Sequence, residues 1–342
     1  MTEAGYLGAL IPEEYGGAGV GLTAASVILE EINRSGGSAA ACHAQMYVMG
    51  TLLRHGSDEQ KRRWLPRIAS GEVRLQAFGV TEREIGSDTT QIRTRAVRDG
   101  DGYVVTGHKG WTSRALHSDL LLLLARTTPA EEVTKRTDGL SVFLVDLREV
   151  TDGVEVRATQ TMVNHHTAEI FFDGARVPAD ALVGEEGEGF RYVLDGWNAE
   201  RILIAAECIG DGRWFVEHAA RYASEREVFG RPIGANQGVQ FPITRAYAAV
   251  EAADLVRYRA AALFEGGRQC GGEANMAKLL ASEASWQAAN ACLDTYGGNG
   301  FRRDHDVERK FRETRVYMVA PVANNLVLAY LGQRVLGMPR SY

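Results

Sequence analysis

The hydrophobic period of this sequence changes twice along the chain, and those two changes bound the fold more tightly than any other feature. In the first seventy or so residues Ala24, Val27, Ile28 and Ile32 recur at helical spacing, and Ser57 with Gln60 forms a capping-box pattern that opens a short helix. From Leu75 the pattern becomes short strands parted by turns, at 94–97, 103–106, 120–125, 141–145 and 168–172. Asp99-Gly100-Asp101-Gly102 supplies a hairpin reversal, because glycine reaches positive φ without steric cost. After Gly189 the strands stop, and long helical patterns run over 190–226, 240–264, 273–296 and about 321–336, with Gly266-Gly267 and Gly297-Gly298 as joints. The order predicts an α+β chain in three parts: a helical N-terminal segment (1–74), a middle β domain (75–187) and a C-terminal helical bundle (188–342).

Composition narrows the function classes. With 45% hydrophobic and 24% charged residues the chain can bury a sizeable core and has no disordered character. A net charge of -6 gives no general attraction to nucleic acid or to an anionic membrane. The four cysteines, Cys42, Cys208, Cys270 and Cys292, are scattered without a CxxC pair, which suggests neither zinc nor a disulfide framework and suits a reducing cytoplasm. The N-terminus lacks the basic start and apolar stretch of a secretory signal, and the run 120–125 is too short to span a bilayer. His165 and His166 are adjacent, so in a strand they point to opposite faces and do not make a shared metal site.

Four motifs carry chemistry. Phe78 leads into Gly79-Val80-Thr81-Glu82-Arg83-Glu84-Ile85-Gly86-Ser87-Asp88, a polar loop whose amides and threonine hydroxyl can bond a heterocycle edge; read alone, it is also an ordinary surface turn. Gly107-His108-Lys109-Gly110-Trp111-Thr112-Ser113 places a tryptophan where it serves either as packing or as the wall of a ligand site. Arg226-Glu227-Val228-Phe229-Gly230-Arg231-Pro232-Ile233, followed by Asn236-Gln237, offers a guanidinium for a pyrophosphate, or a solvated arginine at a helix end. Tyr296-Gly297-Gly298-Asn299-Gly300 offers bare backbone to phosphates, or a simple reversal between helices.

In this order and spanning nearly the whole chain, the four motifs resemble those of the acyl-CoA dehydrogenases. The resemblance implies a fold with N-terminal helices, a middle β-barrel and a C-terminal four-helix bundle, and FAD held between the β domain and the bundle. By position it implies FAD contacts at Phe78, Val80, Thr81, Trp111, Ser113, Arg226, Phe229, Gln237, Gly297, Gly298 and Asn325, some made across a subunit boundary, with Ser87 and Arg201 toward the substrate. It further implies an acyl-CoA substrate, an electron-transfer flavoprotein as partner, a place in fatty acid metabolism and a homo-oligomer, tetramer or dimer.

The sequence departs from the family in two places. The family usually has further helices before the segment equivalent to 7–17, so the chain reads as short at its start. The glutamate commonly found in a Tyr-Glu-Gly-Thr stretch is replaced, the ungapped match being Ala320-Pro321-Val322-Ala323. Isovaleryl- and long-chain-specific members carry their glutamate on an earlier bundle helix before an arginine, an arrangement matched by Asn198-Ala199-Glu200-Arg201, which makes Glu200 the candidate base. Pro321 also lacks the N–H that relatives use to polarise the thioester carbonyl. Two other readings therefore stand beside a dehydrogenase: a flavin monooxygenase or oxidase of the same fold, and a non-catalytic subunit that binds FAD or CoA in a mixed oligomer.

Overall fold

The computed structural model describes residues 1–163 and 165–340. They form two compact units, one made of Met1–Val20 and Ala40–Trp197, the other of Gly21–Ala39 and Asn198 onward.

The first unit holds α2 (Ala40–His55), α3 (Asp58–Ala69) and an eight-stranded sheet. Its strands are β1 (Leu75–Gly79), β2 (Arg95–Asp99), β3 (Gly102–Ser113), β4 (Leu120–Arg126), β5 (Leu140–Asp146), β6 (Val154–Ala158), β7 (Thr167–Pro178) and β8 (Leu182–Val183). They lie in the order β6-β7-β3-β2-β4-β5-β8 with β1 beside β4, and every pair is antiparallel except β1 with β4 and β2 with β4. Every residue of β4 and β5 is buried. The cause is a second layer: Leu121, Leu123 and Ala125 pack with Tyr103, Phe143 and Phe172, whereas Leu120, Leu122 and Leu124 meet Leu52, Leu65 and Ile68 of α2 and α3. A strand covered on both faces reads as a continuous apolar run, as 120–125 does.

The capping box forms as its spacing predicts, with Gln60 N donating to Ser57 Oγ (3.1 Å) and Ser57 N to Gln60 Oε1 (3.0 Å). Gln60 Nε2 reaches further, to the carbonyls of Asp180 and Leu182, and ties α3 to the chain after β7. The hairpin between β2 and β3 turns through Gly100 at φ 61°, with Asp99 paired to Gly102.

The second unit comprises α1 (Leu22–Arg34), α5 (Gln237–Glu265), α6 (Gly271–Tyr296), α7 (Val307–Thr314), α8 (Asn324–Tyr330) and the greater part of α4 (Gly189–Glu225). Trp214, Phe215, Ile243, Ala288, Cys292 and Val307 form its apolar centre. Buried charges join the helices: Arg257, fully buried, donates to Glu30 of α1 (2.9 Å) and to Asp254 (2.6 Å), and Arg213 of α4 binds the same two carboxylates. The helix expected over 321–336 is shorter, α8 being followed by a π turn at Leu331–Val335. Strands β6 and β8, helix α7 and the two-strand hairpin of β9 (Glu227–Val228) and β10 (Arg231–Pro232) fall outside the expected segments. No helix among the described residues is long and apolar enough to cross a membrane.

Because Leu122 is fully buried among the aliphatic side chains that β4 shares with α2 and α3, Leu122→Ala is expected to cost about 3 kcal/mol of unfolding free energy. The same change at Leu116, which is 49% exposed, is expected to cost well under 1 kcal/mol. Chemical denaturation of both variants measures the difference.

Candidate functional site

In the sheet unit, the polar loop is pinned from beneath by a buried ion pair. Glu82 Oε1 accepts from the Thr94 amide (2.8 Å), the Thr94 hydroxyl (2.7 Å) and Lys109 Nζ (3.1 Å), and Oε2 accepts from the Arg93 amide (2.8 Å). Burial alone would raise the Glu82 carboxyl, but Lys109 and these donors together hold it below its ordinary value. Lys109 is wholly buried, and burial brings its ammonium down to about 8 against the opposing pull of Glu82. Lys109 Nζ also donates to the carbonyl of Val80 (3.0 Å). The Gly110 amide donates to the carbonyl of Thr81 (2.9 Å), so the two sequence motifs of this unit are stitched together backbone to backbone.

One residue later the register of β3 against β7 slips between Lys109 and Thr112, and Trp111 occupies the bulge at φ 57° with 61% of its surface exposed. A bulky side chain at positive φ is strained, and such strain gathers at functional positions. The tryptophan is therefore a presented surface and not core packing. Ser113 closes β3 opposite Thr167, Phe78 lies half-buried on β1 with its ring edge-on to Tyr47 (5.6 Å), and Ser87 is exposed on the loop.

In the helical unit, Arg226 ends α4 and Phe229 forms the tip of the β9/β10 hairpin at φ 55°, fully exposed. Arg226 and Gly298 line one cavity of about 350 Å³ together with Tyr222, Val228, Tyr296 and Asn299. Tyr222 stacks on Tyr296 (4.0 Å between centroids) and takes a hydrogen bond from Asn299 Nδ2 (2.8 Å), which fixes the cavity wall. A Cβ at Gly297 or Gly298 would meet nothing within 4 Å, so this turn is bare backbone facing open space. Two motifs seventy residues apart are thus brought to one concavity, a place suited to phosphate oxygens. Gln237, at the start of α5, is exposed.

Glu200 sits on α4 and is 7% exposed. Its neighbour Arg201 has its pKa lowered by burial, partly offset by the charges of Glu200 and Tyr330. The segment that replaces the family's commonest glutamate is fastened to α6: Lys278 Nζ donates to the Val322 carbonyl (2.7 Å) and to Asn324 Oδ1 (2.6 Å). Lys278 is buried, and burial lowers it to about 8. Asn325, next along, is exposed. Lys109, Thr94 and Lys278 were missed as site residues in the sequence reading. Lys109 was visible within its motif, and Lys278 as a lone cation in an apolar helical stretch. Among the described residues there is no cluster of metal-ligating side chains.

Family models for acyl-CoA dehydrogenases match three consecutive stretches, the N-terminal domain at residues 1–72, the middle domain at 77–175 and the C-terminal domain at 187–335. The acyl-CoA dehydrogenase FadE12 of Mycobacterium tuberculosis is 34% identical over 99% of this chain and 87% of its own. Among solved structures, a glutaryl-coenzyme A dehydrogenase in complex with glutaryl-CoA is 33% identical with a TM-score of 0.92, covering 100% of this chain and 87% of that one. A structure described as an electron transferring flavoprotein of Acidaminococcus fermentans is 30% identical with a TM-score of 0.92, covering 98% and 88%. The chain therefore belongs to the acyl-CoA dehydrogenase family of FAD-dependent oxidoreductases.

Proposed function

We propose that the chain dehydrogenates a saturated acyl-CoA thioester to the trans-2-enoyl thioester, with Glu200 as the base and an electron-transfer flavoprotein as the electron acceptor. The observation that carries this reading is the placement of Glu200, a carboxylate 7% exposed on α4, in a chain whose position 321 is proline. A base must take the α proton in a place from which bulk water is shut out, or the proton and the developing charge are lost to solvent. Arg201, the next residue, supplies a neighbouring positive charge that Glu200 feels.

Phe78, Val80, Thr81, Trp111 and Ser113 in the sheet unit, and Arg226, Phe229, Gln237, Gly297, Gly298 and Asn325 in the helical unit, are the residues that would hold FAD. When bound, the flavin supplies a hydride acceptor for the β hydrogen of the thioester. The chain's own geometry fits such a group: a strained, presented indole, and a bare glycine turn sharing a cavity with a guanidinium. Phe229, wholly exposed at a hairpin tip, suits contact with the cofactor of a second copy, so a homo-oligomer belongs to the proposal. Ser87, accessible on the polar loop, suits the thioester side of the site. The neighbour described as an electron transferring flavoprotein supports the choice of electron acceptor.

Anaerobic titration with saturated acyl-CoAs tests the reading. One of them is expected to bleach the flavin, and Glu200→Gln is expected to slow that bleaching by about 10³-fold with FAD content unchanged. A yellow protein that no thioester bleaches would give way to the oxidase or partner-subunit readings.

The ion pair beneath the loop has its own signature. Lys109→Met leaves Glu82 buried without its cation and is expected to cost about 3 to 5 kcal/mol of stability, against a smaller loss in the Lys109→Met/Glu82→Gln double variant. Thermal melts of the two variants, with FAD retention measured alongside, decide it.

A further inference from the structure

Where β3 closes against the start of β7, backbone strain and positive charge meet. Five of the described residues other than glycine hold a positive φ, and three of them, Trp111 (57°), Arg114 (65°) and His166 (47°), lie at this place. The Arg114 amide donates to the carbonyl of His166 (3.1 Å), so two of the strained positions hold each other. Strain of this kind persists only where surrounding structure over-determines it, and it gathers at functional positions.

A short 3-10 turn at Ala115–His117 follows, and Ser118 fastens it to the chain that enters β1. Ser118 Oγ donates to the carbonyl of Arg74 (3.1 Å) and accepts from the amide of Gln76 (2.8 Å), while the Asp119 amide donates to the same Arg74 carbonyl (2.9 Å). Arg114 Nε donates to Gln76 Oε1 (3.0 Å). The His117 ring stands edge-on to that of His166, with 4.6 Å between centroids. Two guanidinium groups and two imidazoles are thereby gathered at one end of the sheet.

None of these four side chains is paired with a carboxylate among the described residues. Burial, and then the charge of Arg74, lower the Arg114 pKa; burial, followed by the charges of Arg114, His166 and Arg74, lowers that of His117, and no carboxylate opposes either shift. Asp119, the nearest acid along the chain, is turned to the backbone of Arg74, whose amide it accepts (2.7 Å), and its charge is felt by Arg148. In a chain of net charge -6, such a group of cations departs from the whole. Arg74, His117 and His166 are exposed, and large apolar side chains are interleaved with them in the sequence, Leu116 being 49% and Met162 55% exposed. Arginine and methionine beside exposed apolar surface are the composition that protein interfaces favour.

We propose that this end of β3 is a docking surface for a protein partner that presents an acidic segment, its carboxylates received by Arg74, Arg114, His117 and His166 and its apolar side chains covering Leu116 and Met162. Charge complementarity selects the occupant. Carboxylates relieve the repulsion among the four groups, and the guanidinium forks match them with paired hydrogen bonds. The apolar neighbours favour a polypeptide over a free inorganic anion, which would leave them in water. The surface lies wholly within the sheet unit, and the assignment stands whether or not the chain dehydrogenates a thioester.

The experiment uses the FAD-loaded full chain and two fluorescent decapeptides, one alternating glutamate with leucine and the other glutamine with leucine, with binding read by anisotropy. The acidic peptide is expected to bind at least about 10-fold more tightly than the glutamine peptide, and to lose that advantage as salt is raised. Arg74→Met and His117→Gln are each expected to weaken it about 3-fold and Arg114→Met about 10-fold, the two exposed positions carrying the comparison if Arg114→Met does not fold. Arg176→Met, which removes an exposed arginine paired with Asp99 elsewhere on the sheet unit, is expected to change nothing. Lowering the pH from about 8 to about 6 is expected to tighten binding, because bound carboxylates raise the His117 pKa and the peptide then binds together with a proton; in His117→Gln that gain shrinks. Equal binding of the two peptides, or an equal loss in Arg176→Met and in the cluster variants, overturns the assignment. Inorganic phosphate that displaces the acidic peptide as effectively as unlabelled peptide does overturns it too, and makes the cluster a small-anion site.

Discussion

Lys109 lies wholly inside the sheet unit, and its ammonium stays there because Glu82 and the Val80 carbonyl answer it. Taking both charges out of water costs several kcal/mol for each, so the pair is a poor source of stability compared with apolar residues of the same size. What it supplies is placement. Glu82 also binds the amides of Arg93 and Thr94, so a single carboxylate fixes the polar loop against the segment that enters β2. With Lys109 held inward, the next residues of β3 enter a bulge, and Trp111 is delivered to the surface at a backbone angle a tryptophan rarely adopts. Strain of about 1 to 3 kcal/mol at such a residue persists only where its surroundings over-determine it, and the ion pair with the Gly110 to Thr81 hydrogen bond does so here.

The helical unit repeats this use of buried charge. Lys310 donates to Asp211 and to the carbonyls of Asn33 and Gly37, tying α7 to α4, to the end of α1 and to the chain just after it. Burial raises the Asp211 carboxyl to about 6 although Lys310 opposes the rise. Arg257 and Arg213 bind Glu30 and Asp254 in the same fashion. Removing any one partner would strand a charge, so these clusters specify which helices meet more strongly than they stabilise the meeting.

Much of the architecture was legible because long periodic stretches leave few choices. The capping box at Ser57, the hairpin at Gly100 and the three long helices after Gly189 all follow from local rules that tertiary packing did not override. Where packing decided, the sequence was silent. In 307–314 Val307, Phe311 and Thr314 do recur at helical spacing, but over only two turns and among charged residues, and α7 forms where Val307 and Lys310 are buried in the helical unit. The last helix was overestimated for the opposite reason: 321–336 is apolar enough throughout, but the first part is held as a loop by Lys278, a residue more than forty positions away. At the site, the positions of Trp111 and of the glycine turn came from motif order. Their exposure, strain and shared cavity with Arg226 required coordinates, since no spacing rule reveals which side of a bulge faces solvent.

The replacement at 321 and the tie made by Lys278 belong together. A segment that carries a base must present its side chain and backbone to the substrate; here the carbonyl of Val322 and the side chain of Asn324 are committed to a lysine within the unit. The segment is thereby tied into the framework of the helical unit, and in the reading proposed above the base is instead a carboxylate on α4. A long helix is a firm mount for such a group, because each side chain is set by hydrogen bonds on both sides of it and by packing along its length.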